Sequence, residues 1–216
     1  TRRQRQMCIR DSIKSKIHKK KIKISFVPVQ KLNKLTSKNH QGIVATISPV
    51  RTKKISDLEK KINKTGSCLI LVLDGITDTK NFGAIIRSAE CFGVDYIIIS
   101  KTGSSPINGE TIKSSAGAVF NIPICKVNHI KDAIFFLKEF GVEIVASDDK
   151  AKKNIYKYRF KSKTAIILGS EGSGINKSIL KMCDEEISIP LHGTLSSLNV
   201  SVAAGIFLSE FKRQSS

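Results

Sequence analysis

Cys68-Leu69-Ile70-Leu71-Val72-Leu73 is six apolar residues without interruption, followed at once by Asp74 and Gly75. A strand with one face in water alternates apolar and polar side chains, so an unbroken apolar run is the pattern of a strand covered on both faces. Working outward, similar runs recur at Tyr96-Ile97-Ile98-Ile99, Val142-Glu143-Ile144-Val145-Ala146, Ala165-Ile166-Ile167-Leu168 and Ile187-Ser188-Ile189. Helical patterns lie between them, at Gly83–Phe92, Gly109–Ala118, Ile130–Phe140, Asn176–Cys183 and Asn199–Phe211. Strands alternating with helices predict an α/β fold, a parallel sheet with helices on both faces, over residues 67–216.

The 216 residues suffice for one sizeable domain and a small appendage, and the net charge of +19 is unevenly shared between them. Residues 1–66 hold 19 Lys/Arg against 3 Asp/Glu, a balance of +16, whereas residues 67–216 hold 18 against 15, only +3. A basic arm on a nearly neutral domain points to a polyanion, most naturally RNA, although a lysine-rich surface from a compositionally biased genome gives the same count. The Lys, Ile and Asn bias suggests a bacterial cytoplasm or a plastid stroma. No stretch reaches transmembrane length and no secretory signal is visible, so a soluble protein is expected, with no membrane partner. Cys8, Cys68, Cys91, Cys125 and Cys183 are scattered, with no C-x-x-C pair and no histidine at a ligand spacing. Reduced core thiols and no metal site are expected.

Upstream of Cys68, Met7-Cys8-Ile9-Arg10-Asp11-Ser12 looks like a translated sequencing adapter, so residues 1–12 are set aside as an assembly scar. Residues 13–48 read as a fragment of a small α/β domain: a basic helix-like run, a strand at Ile24–Val29, an apolar face at Leu32 and Leu35, and a strand at Ile43–Ile47. Lys14, Lys16, Lys19, Lys20, Lys21 and Lys23 are its candidate RNA phosphate contacts. Residues 49–66 read as a linker with a short helix.

Three segments carry chemistry, each following the C-terminal end of a strand, where open α/β sheets place ligands. In the first, Asn81-Phe82-Gly83-Ala84-Ile85-Ile86-Arg87, an arginine on an otherwise packed face needs an anionic partner, whether a ligand or Glu90 or Asp74. The second is Leu168-Gly169-Ser170-Glu171-Gly172-Ser173-Gly174. Its glycines let backbone approach a ligand, and its spacing fits neither a dinucleotide fingerprint nor a P-loop. The third, Ile189-Pro190-Leu191 through Ser197-Leu198-Asn199-Val200-Ser201, crowds hydroxyls and an amide at the mouth of a helix. A polar ligand site and a well-capped helix are both readings of it.

These three ordered motifs resemble the SpoU family of RNA ribose 2′-O-methyltransferases, within the SPOUT class. Asn39-His40-Gln41-Gly42-Ile43-Val44-Ala45 also resembles the junction of members with an N-terminal L30e-like RNA-binding domain, of which only the second half has a counterpart here. The resemblance implies a C-terminal deep trefoil knot over 165–210 and S-adenosylmethionine as cofactor. The cofactor would be held at Leu168, Gly169, Ser170, Glu171, Gly172, Ile189, Leu191, Ser197 and Leu198. It further implies Arg87, Asn81, Glu171, Ser197 and Asn199 as catalytic residues, with Asn81 and Glu171 orienting Arg87 and the ribose. A homodimer with its interface by the knot is implied, as is a guanosine of large-subunit ribosomal RNA as substrate. A transfer-RNA enzyme and a non-catalytic RNA binder of the same fold remain alternatives.

Overall fold

The computed structural model describes residues 23–37, 39–64 and 66–215. It divides into two units, Thr1–Pro49 and Val50–Ser216. Most of the basic run, Lys14 to Lys21, lies outside the described residues; Lys23 is exposed in a stretch without regular structure.

In the first unit the expected strands do not form. Residues 23–28 are irregular, helix α1 spans Val29–Leu35 behind Pro28, and residues 43–47 are irregular as well. A lone strand leaves its backbone donors and acceptors without a neighbour, and no strand lies beside either segment among the described residues. α1 buries none of its residues. The expected Leu32/Leu35 face therefore covers no core. The turn after it is pinned locally: the His40 ring accepts the Gly42 N–H at 2.9 Å through Nδ1 and meets Asn33 Oδ1 at 2.8 Å through Nε2.

The second unit is a sheet between two helical layers. Its strands are β1 (Cys68–Leu73), β2 (Tyr96–Ser100), β3 (Ile124–Val127), β4 (Glu143–Ser147), β5 (Lys153–Asn154), β6 (Lys163–Leu168) and β7 (Glu185–Ser188). They pair in parallel in the order β3-β2-β1-β6-β4-β7-β5. β1 is buried along its whole length, and its alternate residues enter different cores: Leu69, Leu71 and Leu73 one, Cys68, Ile70 and Val72 the other. That is why the apolar run is unbroken.

Helices α3 (Thr79–Cys91) and α7 (Val200–Ser215) cover the first core through Phe82, Ile85, Ile86, Phe207 and Leu208. Helices α2 (Ser56–Lys64) and α5 (Ile130–Glu139) cover the second through Leu58, Ile62, Ile134 and Leu137. The stretch read as a linker is thus built into this unit: Leu58 and Ile62 are wholly buried, and Lys53 bridges to Cys125. Each such side chain contributes roughly 1.5–3 kcal/mol of burial. The short helices α4 (Gly109–Ser114) and α6 (Lys177–Leu180) complete the layers. α4 lies so close to α3 that a Cβ on Gly83 would fall 1.8 Å from Ser114 Oγ. No described helix is long and apolar enough to cross a membrane.

Strand order reverses beside β1. β2 and β3 extend to one side, and the chain then crosses to β4, leaving a slot that β6 fills only later. Leu73 and Leu168, the last residues of β1 and β6, lie in register at that reversal. Open α/β sheets place their ligand crevice at such a point.

Candidate functional site

Asp78 starts α3 by accepting the Asn81 N–H on its carboxylate at 2.7 Å. With Phe82, Ile85 and Ile86 fixed in the core, Asn81 is set in the first helical turn at the end of β1. Across from it, the chain leaving β6 makes a tight loop. Ser170 and Gly174 exchange N–H···O bonds of 3.1 and 3.0 Å, and the hydroxyls of Ser170 and Ser173 meet at 2.7 Å. Gly169 is packed flat against that loop's far strand, where a Cβ would lie 2.1 Å from the Gly174 carbonyl carbon. Asp74 ties β1 to the loop's exit by accepting the Asn176 N–H at 2.9 Å. Glu171 sits at the loop's outer turn.

The third segment completes the site. Asn199 precedes α7, and its Oδ1 accepts both the Ser201 N–H (2.9 Å) and the Ser201 hydroxyl (2.6 Å). Its amide nitrogen is then free to donate the other way, to Asn81 Oδ1 at 3.0 Å and to Glu171 Oε1 at 2.6 Å. Asn81 Nδ2 donates to the same Glu171 Oε1 at 2.8 Å. The helix-cap and ligand-site readings of the third segment are therefore compatible, because one side chain uses its oxygen for the cap and its nitrogen for the site. The triangle holds a carboxylate between the N-termini of α3 and α7, where helix dipoles favour negative charge.

Beside the triangle is a cleft of about 790 Å³, within the range of small-molecule sites. Leu168, Gly169, Ser170, Glu171, Gly172, Ile189, Leu191, Ser197 and Leu198 all line it, together with Asn199. Residues 147–150, from Ser147 to Lys150, also line it and were not singled out in the sequence. Their signal was available: they follow the β4 run on the same strand-end side as the motifs. Ser197 is exposed and makes no hydrogen bond among the described residues.

Arg87 departs from expectation. It is exposed, not packed, and pairs with neither suggested carboxylate: Glu90 accepts from Asn121 Nδ2 at 3.2 Å, and Asp74 is taken by Asn176. Nor do Asn81 and Glu171 hold it, since they bond to each other and to Asn199, and Arg87 is not among the cleft's lining residues. Two positions from both Ile85 and Ala89, it lies about 200° around the helix from each. Its guanidinium makes no hydrogen bond or ion pair among the described residues.

Burial pushes the thiols of Cys68 and Cys183 up to about 12 and that of Cys125 to about 11; Cys68 and Cys125 are core residues, and Cys183 packs half-buried against the core. Cys91, at the end of α3, is instead exposed, and Cys8 lies outside the described residues. Among the described residues no three His, Cys, Asp or Glu side chains are grouped to hold a metal ion.

Comparison with known proteins matches residues 68–209 to the SpoU rRNA methylase family and residues 9–53 to an RNA 2′-O ribose methyltransferase substrate-binding model. The latter match begins inside the stretch set aside as a scar. A 23S rRNA (guanosine-2′-O-)-methyltransferase of Vibrio vulnificus is 39% identical over 82% of this chain and 71% of its own length. One from Escherichia coli is 38% identical over 82% and 73%. Among solved structures, an AdoMet-bound rRNA methyltransferase from Sinorhizobium meliloti superposes with TM-score 0.69 at 30% identity, covering 76% of this chain and 61% of that one. The SpoU methyltransferase AviRb from Streptomyces viridochromogenes, in complex with AdoMet, gives 0.67 at 26%, covering 72% and 64%. The chain thus spans under two thirds of these solved chains.

Proposed function

The chain belongs to the SpoU rRNA methylase family, and from that premise we propose that it methylates the 2′-hydroxyl of a guanosine ribose in large-subunit ribosomal RNA, using S-adenosylmethionine. The observation that carries this reading is the bonded triangle of Asn81, Glu171 and Asn199 at the cleft, which joins residues 90 and 118 positions apart from three separate strand ends.

The cleft suits the cofactor. Its Gly169–Gly174 turn offers backbone groups, with no room for a side chain at Gly169, and Leu168, Ile189, Leu191 and Leu198 add apolar surface. S-adenosylmethionine supplies an electrophilic methyl group. A ribose hydroxyl is a weak nucleophile and must lose its proton as the methyl arrives. Arg87 does not take that proton, because guanidinium stays protonated; the proton passes to a phosphate oxygen or to water. Its role is to bind the adjoining phosphate and stabilise the developing alkoxide, and an exposed guanidinium without an internal partner is free to do so. Asn81, Glu171 and Asn199 fix the ribose, and Ser197 contacts the nucleotide.

The same reading includes the trefoil knot over 165–210. Also included are an L30e-like substrate-binding arm with its lysine contacts, a bacterial cytoplasmic setting and a homodimer. Exposed Leu195, Leu198 and Val202 offer apolar surface for the dimer.

The test is transfer of labelled methyl from S-adenosylmethionine to unmodified ribosomal and transfer RNA supplied separately. Label is expected in ribosomal RNA. Arg87→Ala should lower transfer about 100-fold or more with cofactor affinity unchanged. Label confined to transfer RNA would move the substrate, and loss of cofactor binding in Arg87→Ala would make that residue structural.

A further inference from the structure

The connection between β4 and β6 lies outside the three motifs. Residues 150–163 hold seven Lys or Arg and no Asp or Glu, interleaved with Tyr156, Tyr158 and Phe160. Lys150 lines the cleft, β5 is the outermost strand of the sheet, and Lys163 opens β6 at the opposite end. The segment therefore leaves the cleft, passes the edge strand β5 and crosses to the far end of β6, a sheet depth of roughly 20 Å, the span of a six-residue strand.

It is held firmly. Ile155 is wholly buried, and Asn154 Oδ1 accepts the Tyr156 N–H at 2.8 Å. Tyr158 packs edge-on against Phe160 at 5.0 Å between ring centres, and Phe160 against Phe211 at 5.6 Å. Gln214 donates to the Tyr158 carbonyl at 2.8 Å and accepts the Phe160 N–H at 3.0 Å. With its neighbours anchored inward, Tyr156 is left 57% exposed. Lys153 and Lys161 pair with Glu185 and Glu143. Lys152, Lys157 and Arg159 are exposed and make no hydrogen bond or ion pair among the described residues. Edge strands do carry lysine to discourage sheet-to-sheet pairing. That account leaves unexplained an exposed tyrosine ring between unpaired cations, which is the make-up of a single-strand binding surface.

We infer that this strip is a second contact surface for single-stranded RNA, with phosphates on Lys152, Lys157 and Arg159 and a base stacked on Tyr156. The inference rests on the methyltransferase reading only in that the bound RNA continues from the cleft. It is tested on the full chain with a single-stranded RNA 20-mer over a salt series, with methyl transfer to ribosomal RNA as a second readout. Replacing Lys152, Lys157 and Arg159 together by Ala should make the slope of log affinity against log salt shallower by about 2, at roughly 0.7 per phosphate contact. Tyr156→Ala should weaken binding about tenfold with the slope kept, and Tyr156→Phe should restore it. Wild-type affinity and slope in the folded triple variant would overturn the strip, as would a wild-type chain that binds no RNA. If these variant effects appear while wild type transfers no methyl, the strip stands and the methyltransferase reading falls. If the variants transfer methyl with unchanged KM and bind RNA as wild type does, the methyltransferase reading stands and the strip falls.

Discussion

Gly169→Ala is the perturbation whose size can be worked most directly. The added Cβ would lie 2.1 Å from the Gly174 carbonyl carbon and 2.2 Å from the Ile175 nitrogen, both backbone atoms. Ordinary contact begins at 3.4 Å, so the two strands of the loop must separate by 3.4 − 2.1, about 1.3 Å. That displacement stretches the reciprocal Ser170–Gly174 hydrogen bonds of 3.1 and 3.0 Å beyond useful length. Overpacking costs about 1–3 kcal/mol and each of the two lost bonds about 1 kcal/mol, so a total of about 3–5 kcal/mol is expected. For a chain of this size the Tm should fall by about 6–20 °C. Because the loop carries Glu171 and lines the cleft, S-adenosylmethionine affinity measured calorimetrically should fall about tenfold or more. A variant with wild-type Tm and wild-type cofactor affinity would refute the claim that this backbone approach builds the site.

Three further outcomes follow from other parts of the molecule. Asn199→Ala removes the α7 cap and the triangle together, costing about 1 kcal/mol of stability, whereas Asn199→Ser keeps a capping hydroxyl. Stability should recover in the serine variant while methyl transfer stays low, and recovery of both would limit Asn199 to capping. Buried Glu210 accepts two hydrogen bonds from Arg213 and one from Gln214, and these partners pull its carboxyl from the ordinary 4.5 down to about 2. A depressed carboxyl stabilises the fold above its unfolded value, so this contribution is full above pH 4.5 and is lost as pH falls toward 2. Glu210→Gln should flatten that part of an acid unfolding curve, and an unchanged curve would contradict the assignment. Finally, in a Cys8→Ser background at pH 8, a thiol reagent should modify exposed Cys91 quickly, half-buried Cys183 more slowly, and buried Cys68 and Cys125 only on unfolding, as mass spectrometry would read.

The sheet was legible because strands covered on both faces write themselves as continuous apolar runs. β3, four residues with Lys126 among them and Pro123 before them, carries too little pattern, and two-residue β5 exists only through its pairing with β7. The expected start of α3 missed four residues because the apolar pattern was followed in preference to the Asp78 cap. The strands at Ile24–Val29 and Ile43–Ile47 were read from local composition, but a strand is a property of a pair. The three motifs were visible as motifs. That Asn81, Glu171 and Asn199 meet was not, since nothing local records a contact across 118 positions. Arg87 was expected on a packed face, but the buried Ile85 and Ala89 lie on the other side of the helix and leave it exposed; Ser147–Lys150 went unmarked although they follow the β4 run at the same strand-end side as the motifs.

Methyl transfer to the ribose 2′-oxygen leaves a chemical signature in the RNA. A ribose 2′-O-methyl removes the nucleophile of alkaline RNA cleavage, so the bond on its 3′ side survives alkali. Large-subunit ribosomal RNA labelled by the protein should yield, after alkali, a labelled dinucleotide that nucleases convert to 2′-O-methylguanosine. Label released in mononucleotides carrying a methylated base, or no label in ribosomal RNA from a folded, cofactor-binding chain, would contradict the account.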